Sequence, residues 1–133
     1  MFAGKRPDNL GVRDHKLSPC PNTPNCVSSQ SSEAEHSIEP LLYNSTPAEA
    51  MAALKTALQS LKKTQIITEN KNYLYAEFTS AIMGFVDDVE FYLDEDAKVI
   101  HVRSASRLGK SDLGVNRKRI ESLRTKLKEV LSA

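Results

Sequence analysis

The sequence predicts an α+β fold in which an antiparallel sheet of four to five strands carries two helices packed on one face. Two segments place apolar residues at helical spacing, four segments between them alternate apolar and polar residues, and residues 1–35 show neither pattern. We therefore expect an extended N-terminal arm containing proline and cysteine over residues 1–35 and a single α+β domain over residues 36–133.

Composition limits the classes of protein that fit this chain. Its 133 residues, 40% hydrophobic and 26% charged, are ordinary for one globular domain and exclude a two-domain enzyme. A net charge of +1 argues against a polybasic nucleic-acid-binding protein. The first residues contain no continuous apolar stretch, so neither a signal peptide nor a membrane segment is expected in this chain. We expect a cytoplasmic monomer without nucleic-acid or membrane partners.

Cys20 and Cys26 lie in the arm, in a segment rich in proline and asparagine that favours turns over helix. The residues between them can bend far enough for a local disulfide, which would stabilise the fold by about 2 kcal/mol. Packed free thiols and a redox role are the alternatives. His15 and His36 are not spaced for a standard zinc site with the two cysteines, so no metal or cofactor is expected.

The first helix has a clear start signal. Thr46 and Glu49 form a capping box around Pro47, because the threonine hydroxyl and the glutamate carboxylate can each accept a hydrogen bond from a free backbone N–H. An apolar stripe follows at Met51, Leu54, Leu58 and Leu61. Before the helix, residues 36–44 predict a short strand, which Pro40 restricts to an edge of the sheet.

The next four segments predict an antiparallel meander over residues 64–69, 73–79, 85–93 and 98–104. In the third, Val89 and Phe91 alternate with Asp88 and Glu90, so one face is apolar and the other acidic. A second helix is expected over residues 112–131, with an apolar stripe at Ile120, Leu123, Leu127, Val130 and Leu131. Both helices can then cover the apolar face of the sheet, leaving the opposite face polar.

Charge is unevenly distributed along the chain. Residues 101–133 contain nine basic and three acidic side chains, whereas residues 1–100 contain nine basic and fourteen acidic ones. At the start of the basic part, a strand runs through a glycine-containing loop into a helix, and such a junction attracts a carboxylate or phosphate. The candidate ligand-binding residues there are Arg103, Ser104, Ser106, Arg107, Gly109, Ser111, Asp112, Asn116 and Arg117. A purely structural loop, with Asp112 as the helix N-cap, is the alternative.

A second candidate cluster contains the acids Asp87, Asp88 and Glu90 together with His101. Arg103 or His101 on the neighbouring strand can stand opposite the acids and form cross-strand charge pairs. The alternative is a carboxylate and an imidazole acting as acid and base, or carboxylates binding a divalent cation. No further catalytic or metal-ligating residue is spaced to support that alternative.

Two motifs, CPxxPNCVSS from Cys20 and RSASRxGxSDxGxNRxR from Arg103, resemble the "domain of unknown function 1499" family. The resemblance covers roughly residues 17–130 and includes a third group of residues: Ala76, Glu77, Phe78, Phe85, Asp87, Asp88, Val89, Glu90 and Phe91. It implies bacterial and plastid relatives, some attached to membrane segments, with no established activity.

These motifs lead to a hypothesis about the site. We expect residues 20–29 to close over a groove that is floored by Asp87, Asp88, Glu90, His101 and Arg103 and rimmed by residues 107–117. The expected function is a non-catalytic binding module for a small anionic or polar ligand. An enzyme that uses the Asp/Glu/His/Arg groove, and a structural or interaction subunit, are the alternatives.

Overall fold

A six-stranded sheet forms the centre of the computed structural model, which describes residues 3–80, 84–109 and 114–133. The elements in chain order are β1 (Cys26–Ser28), β2 (Leu41–Leu42), α1 (Pro47–Gln59), β3 (Thr64–Glu69), β4 (Tyr73–Thr79), β5 (Val86–Asp94), β6 (Val99–Ser106) and α2 (Val115–Ser132). The predicted α+β class is confirmed, with an antiparallel sheet and two helices.

The strands follow the order β1-β6-β5-β4-β3, so β3 to β6 form the expected meander. All their pairings are antiparallel, and β5 and β6 pair over eight residues from Asp87–Ser106 to Asp94–Val99. The two short strands share the free edge of β6: β2 pairs with Val99 and Ile100, and β1 pairs with residues 103–105. The strand expected within residues 36–44 is therefore present, at the edge where Pro40 restricts it.

Strand β1 is an addition to the prediction, because it lies within the segment expected to be an extended arm. Its three residues are too few to show an alternating pattern, and prolines and asparagines precede them. These residues form a strand because they pair with the free edge of β6, and nothing in the local sequence indicates that pairing. Cys26, Val27 and Ser28 are all buried as a result.

Helix α1 begins as its capping box predicts. The Thr46 hydroxyl accepts a hydrogen bond from the Glu49 backbone N–H at 3.1 Å, and the Thr46 N–H donates to the Glu49 carboxylate at 3.0 Å. Pro47 is the first helical residue, where its missing N–H costs nothing. Of the predicted stripe, Met51, Leu54 and Leu58 are buried, and Leu61 packs at the edge of the core.

Helix α2 begins at Val115, after Gly114, whose φ of 81° is the left-handed conformation that glycine adopts without strain. Asp112, the expected N-cap, lies outside the described residues. Ile120, Leu123 and Leu127 are buried as predicted and pack with the α1 stripe on the apolar face of the sheet. None of the helices in the described ranges combines the length and apolar character needed to cross a membrane.

The N-terminal arm covers the other face of the sheet. Leu17 packs against Tyr73, Tyr75 and Tyr92, with Leu10, Val12 and Ile67 around them. The face that the sequence predicts to be polar is thus polar but not open to solvent. We call it the arm face, and the face under α1 and α2 the helix face.

The capping box gives a test of this fold. Replacing Thr46→Ala removes the acceptor for the Glu49 N–H, and we expect the free energy of unfolding to fall by about 1 kcal/mol. Urea unfolding followed by circular dichroism measures this. Thr56→Ala, at an exposed position inside the same helix, is the matched control and is expected to cost nothing. Equal losses in both variants would contradict a role for the cap.

Candidate functional site

Arg107 is the centre of the polar network on the arm face. Its Nε donates to Asp88 Oδ2 and its Nη2 to Asp88 Oδ1, both at 2.9 Å, and Nη2 also donates to Glu77 Oε2 at 2.6 Å. The hydroxyl of Tyr75 lies within hydrogen-bond distance of both acids and can donate its one proton to either. The Arg107 side chain is 7% exposed and that of Asp88 2% exposed, so this bidentate ion pair is almost fully removed from water.

Two of these partners, Tyr75 and Glu77, were not among the predicted site residues. They stand on β4 at alternate positions, and Glu77 pairs directly with Asp88 in the sheet register. The alternation along β4 is visible in the sequence, but its register against β5 is not. Burial, together with hydrogen bonding to Asp88, raises the pKa of Tyr75 far above its ordinary value, so the phenol remains a donor at neutral pH.

Arg6, near the start of the arm, completes this network. Its Nε donates to Glu77 Oε2 at 2.7 Å, and its guanidinium lies 5.9 Å from the centre of the Tyr75 ring. Burial alone would raise the pKa of Glu77, but hydrogen bonds from Arg6, Tyr75 and Arg107 lower it below its ordinary value. Glu77 is therefore a carboxylate held between two arginines.

Glu90 and Arg103 form a second pair on the arm face, facing each other across β5 and β6 as the sequence predicts. Glu90 Oε2 accepts from the Tyr73 hydroxyl at 2.6 Å and from the Gly11 N–H at 2.7 Å. The contact between Glu90 Oε1 and Arg103 Nη1 is long, at 4.0 Å. Both Glu90 Oε1 and Arg103 Nε are buried without a hydrogen-bond partner among the residues that the structure describes. The protein thus provides only some of the hydrogen bonds that Glu90 and Arg103 can form.

The expected groove floor is divided between the two faces, and this is a correction to the prediction. Asp87 points to the helix face, where its carboxylate lies 2.8 Å from Arg119 Nη2. Its neighbour Asp88 points to the arm face, because consecutive residues of a strand face opposite sides. Asp87 thus cannot share a site with Asp88 and Glu90.

Ser104, Ser106 and Asn116 also belong to the helix face. The Asn116 amide accepts from the Ser104 hydroxyl and donates to Ser106 Oγ at 2.9 Å and to the Asn25 carbonyl at 3.2 Å. Asn25 donates in turn to the Gly109 carbonyl at 2.8 Å. These buried bonds join the arm, β6 and α2.

Arg117 is similarly bound to the protein, because its Nη1 donates to the Ser37 carbonyl at 2.7 Å. Ser111 and Asp112, the remaining candidates of the loop, lie outside the described residues.

His101 stands apart from Asp88 and Glu90. Its Nδ1 lies 3.1 Å from Ser29 Oγ, and its Nε2 lies 3.9 Å from the Asp94 carboxylate. Burial lowers the pKa of His101, and Asp94 opposes that shift. No hydrogen bond joins His101 to Asp88 or Glu90 in the part of the chain that the structure describes.

A cavity of ≈ 360 Å³ opens between two parts of the arm; we call it the arm pocket. Its walls are Lys16, Leu17, Ser18, Pro19, Cys20, Ser28, Gln30, Ser31, Ser32 and Glu33. Arg103 lies next to it, since Nη2 donates to the Pro19 carbonyl at 3.3 Å and Ser28 pairs with Arg103 in the sheet. Arg103, one member of the long ion pair with Glu90, therefore adjoins a pocket lined in part by hydroxyl and amide side chains.

The Cys20–Cys26 disulfide, one of the sequence alternatives, is formed. It links the pocket wall to β1, so the arm segment before Cys20 is fixed to the sheet. Within the described ranges, no three side chains of histidine, cysteine, aspartate or glutamate lie close enough together to hold a metal ion.

The buried Arg107 pair leads to a stability prediction. Replacing Arg107→Met leaves Asp88 buried without a cation, and we expect the free energy of unfolding to fall by about 3–5 kcal/mol. Urea titration at neutral pH measures the loss. Arg13→Met, at an exposed position in the arm, should cost less than about 1 kcal/mol. A similar small loss in both variants would contradict the central role of Arg107.

Glu77 leads to a prediction for acid conditions. Because its pKa is lower in the folded chain than in the unfolded one, its stabilising contribution is complete above the unfolded value of about 4.3 and is lost as the pH falls through the folded value. Glu77→Gln should therefore flatten the decline of the melting temperature below about pH 4.3. Glu95→Gln, at an exposed turn position, should leave that decline unchanged. Identical pH curves for wild type and Glu77→Gln would refute this assignment.

Comparison with known proteins agrees with the two sequence motifs. No curated protein matches the chain. The family described as protein of unknown function (DUF1499) matches residues 16–127, a range that includes the disulfide segment, the sheet and most of α2. The chain therefore belongs to the DUF1499 family.

Proposed function

We propose that this chain is a non-catalytic binding module for a small polar ligand and that the ligand occupies the arm pocket. One observation carries the proposal: the pocket adjoins Arg103, a buried arginine whose Nε has no hydrogen-bond partner among the described residues and whose ion pair with Glu90 is long. A cavity of ≈ 360 Å³ is in the size range of small-molecule sites.

The lining of the arm pocket indicates the ligand chemistry. The Ser18 hydroxyl donates to the Asn9 carbonyl and keeps lone pairs as acceptors, whereas the Ser31 hydroxyl accepts from the Glu33 N–H and keeps a proton to donate. Both ends of the Gln30 amide already bond to the backbone of Leu17 and His15. Lys16 and Glu33 introduce opposite charges at the walls. This arrangement favours a polar ligand with hydroxyl groups or with both charges over a simple anion.

An anion at the junction of β6 and α2 has less support. Arg103, Arg107 and Arg117 all donate hydrogen bonds to protein acceptors, so binding an anion there would require them to exchange partners. A catalytic groove has less support as well. Both cysteines are used in the disulfide, and the contacts of His101 are to Ser29 and Asp94 rather than to Asp88 and Glu90.

The proposal extends to the organisation and location of the chain. We infer that the module acts as a monomer, with the arm as one wall of its binding site. A disulfide of this kind persists in oxidising compartments, so Cys20–Cys26 weighs against the cytoplasmic location expected from the N-terminal residues.

Filling the pocket tests the proposal. Probes of three chemistries, glucose, glycine betaine and sodium phosphate, would be titrated into ¹⁵N-labelled protein. We expect glucose or glycine betaine to shift the amide resonances of residues 16–20 and 28–33, and phosphate to shift them less. Ser31→Trp, whose indole would fill the pocket, should abolish these shifts.

Ser122→Trp, at an exposed position on α2, is the matched control and should leave the titration unchanged. Shifts centred on residues 105–109 instead, with phosphate as the strongest probe, would overturn the proposal in favour of an anion site in the loop. Shifts that persist in Ser31→Trp would overturn it as well.

A further inference from the structure

A second concave surface lies at the opposite end of β6, away from the arm pocket. It is formed by Leu42 and Tyr43 at the end of β2, by Lys98 before β6, and by Lys128 and Leu131 in the last turns of α2. Its volume is ≈ 630 Å³, and it shares no lining residue with the arm pocket. We call it the β2–α2 groove.

The groove presents apolar surface that the fold does not use. Leu42 is 71% exposed, the largest exposure among the big hydrophobic side chains of the described residues. Its strand neighbour Leu41 points to the core and is fully buried, because side chains alternate along β2. Leu131 is only partly buried against the core. Burying Leu42 and Leu131 under a ligand would be favourable in proportion to the apolar area covered.

The charged side chains that line the groove have one sign, although Asp94 and Glu95 lie near enough to Tyr43 that burial and their charges together raise its pKa. The groove contains Lys98 and Lys128 and no acidic lining residue. Neither ammonium group is within ion-pair distance of a carboxylate in the part of the chain that the structure describes. The nearby Arg124 is different, because it donates to the Pro40 and Glu39 carbonyls at 2.7 Å and closes the adjoining end of the groove.

The acids nearest to the two lysines are bonded to other groups. Asp94, in the turn before Lys98, accepts from the Asp96 and Ala97 N–H groups at 3.1 and 3.2 Å. Glu121, two turns before Lys128 on the same side of α2, is paired with Arg124 at 2.9 Å, and the charge of Lys128 acts on it only from beyond ion-pair distance. Lys98 and Lys128 therefore carry positive charge that no direct ion pair takes up in the described part of the chain.

We propose that the β2–α2 groove binds a free alkyl carboxylate of medium chain length. The alkyl chain lies against Leu42 and Leu131, and the carboxylate lies between Lys98 and Lys128. Charge complementarity selects an anion, and the apolar surface selects an alkyl chain; neither feature alone would distinguish this ligand from salt or from a neutral hydrocarbon.

Three probes separate these contributions: decanoate, decanol and acetate, each titrated into ¹⁵N-labelled protein below the critical micelle concentration. We expect decanoate to shift the amide resonances of residues 42–44, 98 and 128–132, to bind about tenfold more tightly than decanol, and acetate to cause no shift. Equal affinities for decanoate and decanol, or shifts located elsewhere, would overturn the proposal.

Variants test the named residues with the fold left intact. Lys128→Glu and Lys98→Glu should each weaken decanoate binding about tenfold without changing that of decanol, and Leu42→Ser should weaken both. Lys62→Glu, exposed beyond the end of α1, is the matched control and should bind as wild type does. A wild-type affinity in both lysine variants would show that the groove does not select a carboxylate.

Sedimentation at rising protein concentration tests the competing occupant. We expect a monomer throughout. A dimer that Leu42→Ser dissociates would show that a second copy of the chain covers the groove, and it would overturn the proposal.

Discussion

Strand β5 is buried on both of its faces, and the rest of the structure follows from covering it. Eight of its nine residues are buried, although four of the nine are acidic. The helix face is covered by α1 and α2, which supply apolar side chains and, for Asp87, the guanidinium of Arg119. The arm face needs cations and donors for Asp88 and Glu90, because a buried carboxylate without them is strongly unfavourable. Arg107, Arg103 and two tyrosines supply most of them.

This requirement explains why so many polar residues of the two motifs are structural. The arginines of the β6–α2 region would suggest an anion site if they were exposed, yet each is bound to a carbonyl or a carboxylate of the protein. These three arginines fix segments that are far apart in sequence in position relative to one another. Glu90 and Arg103 are the exception, because one polar atom of each is buried without a hydrogen-bond partner among the described residues.

Local patterns predicted most of the framework. The capping box located the start of α1, and alternation located β3 to β6 almost to the residue. The site was harder, because its contacts depend on pairings between distant segments. The predicted groove floor joined Asp87 and Asp88, although alternation along β5 turns them to opposite faces. That Arg119 binds one and Arg107 the other depends on contacts between distant segments, which the sequence does not show. The three residues of β1, and the fit of the arm over Tyr73 and Tyr75, depend on an edge and a surface that exist only after the sheet has formed.

The first part of the arm lies outside the residues that match the family, although it contacts the acids of the sheet. The family match begins at residue 16, whereas Arg6 and Gly11, which donate to Glu77 and Glu90, lie before it. Glu77 and Glu90 thus lie within the matched range, but each accepts one of its hydrogen bonds from a segment that the match does not include. A relative with a different segment in that position would keep the same sheet but present a different balance of charge on it. The first part of the arm can therefore change the charge on the arm face without any change in the sheet.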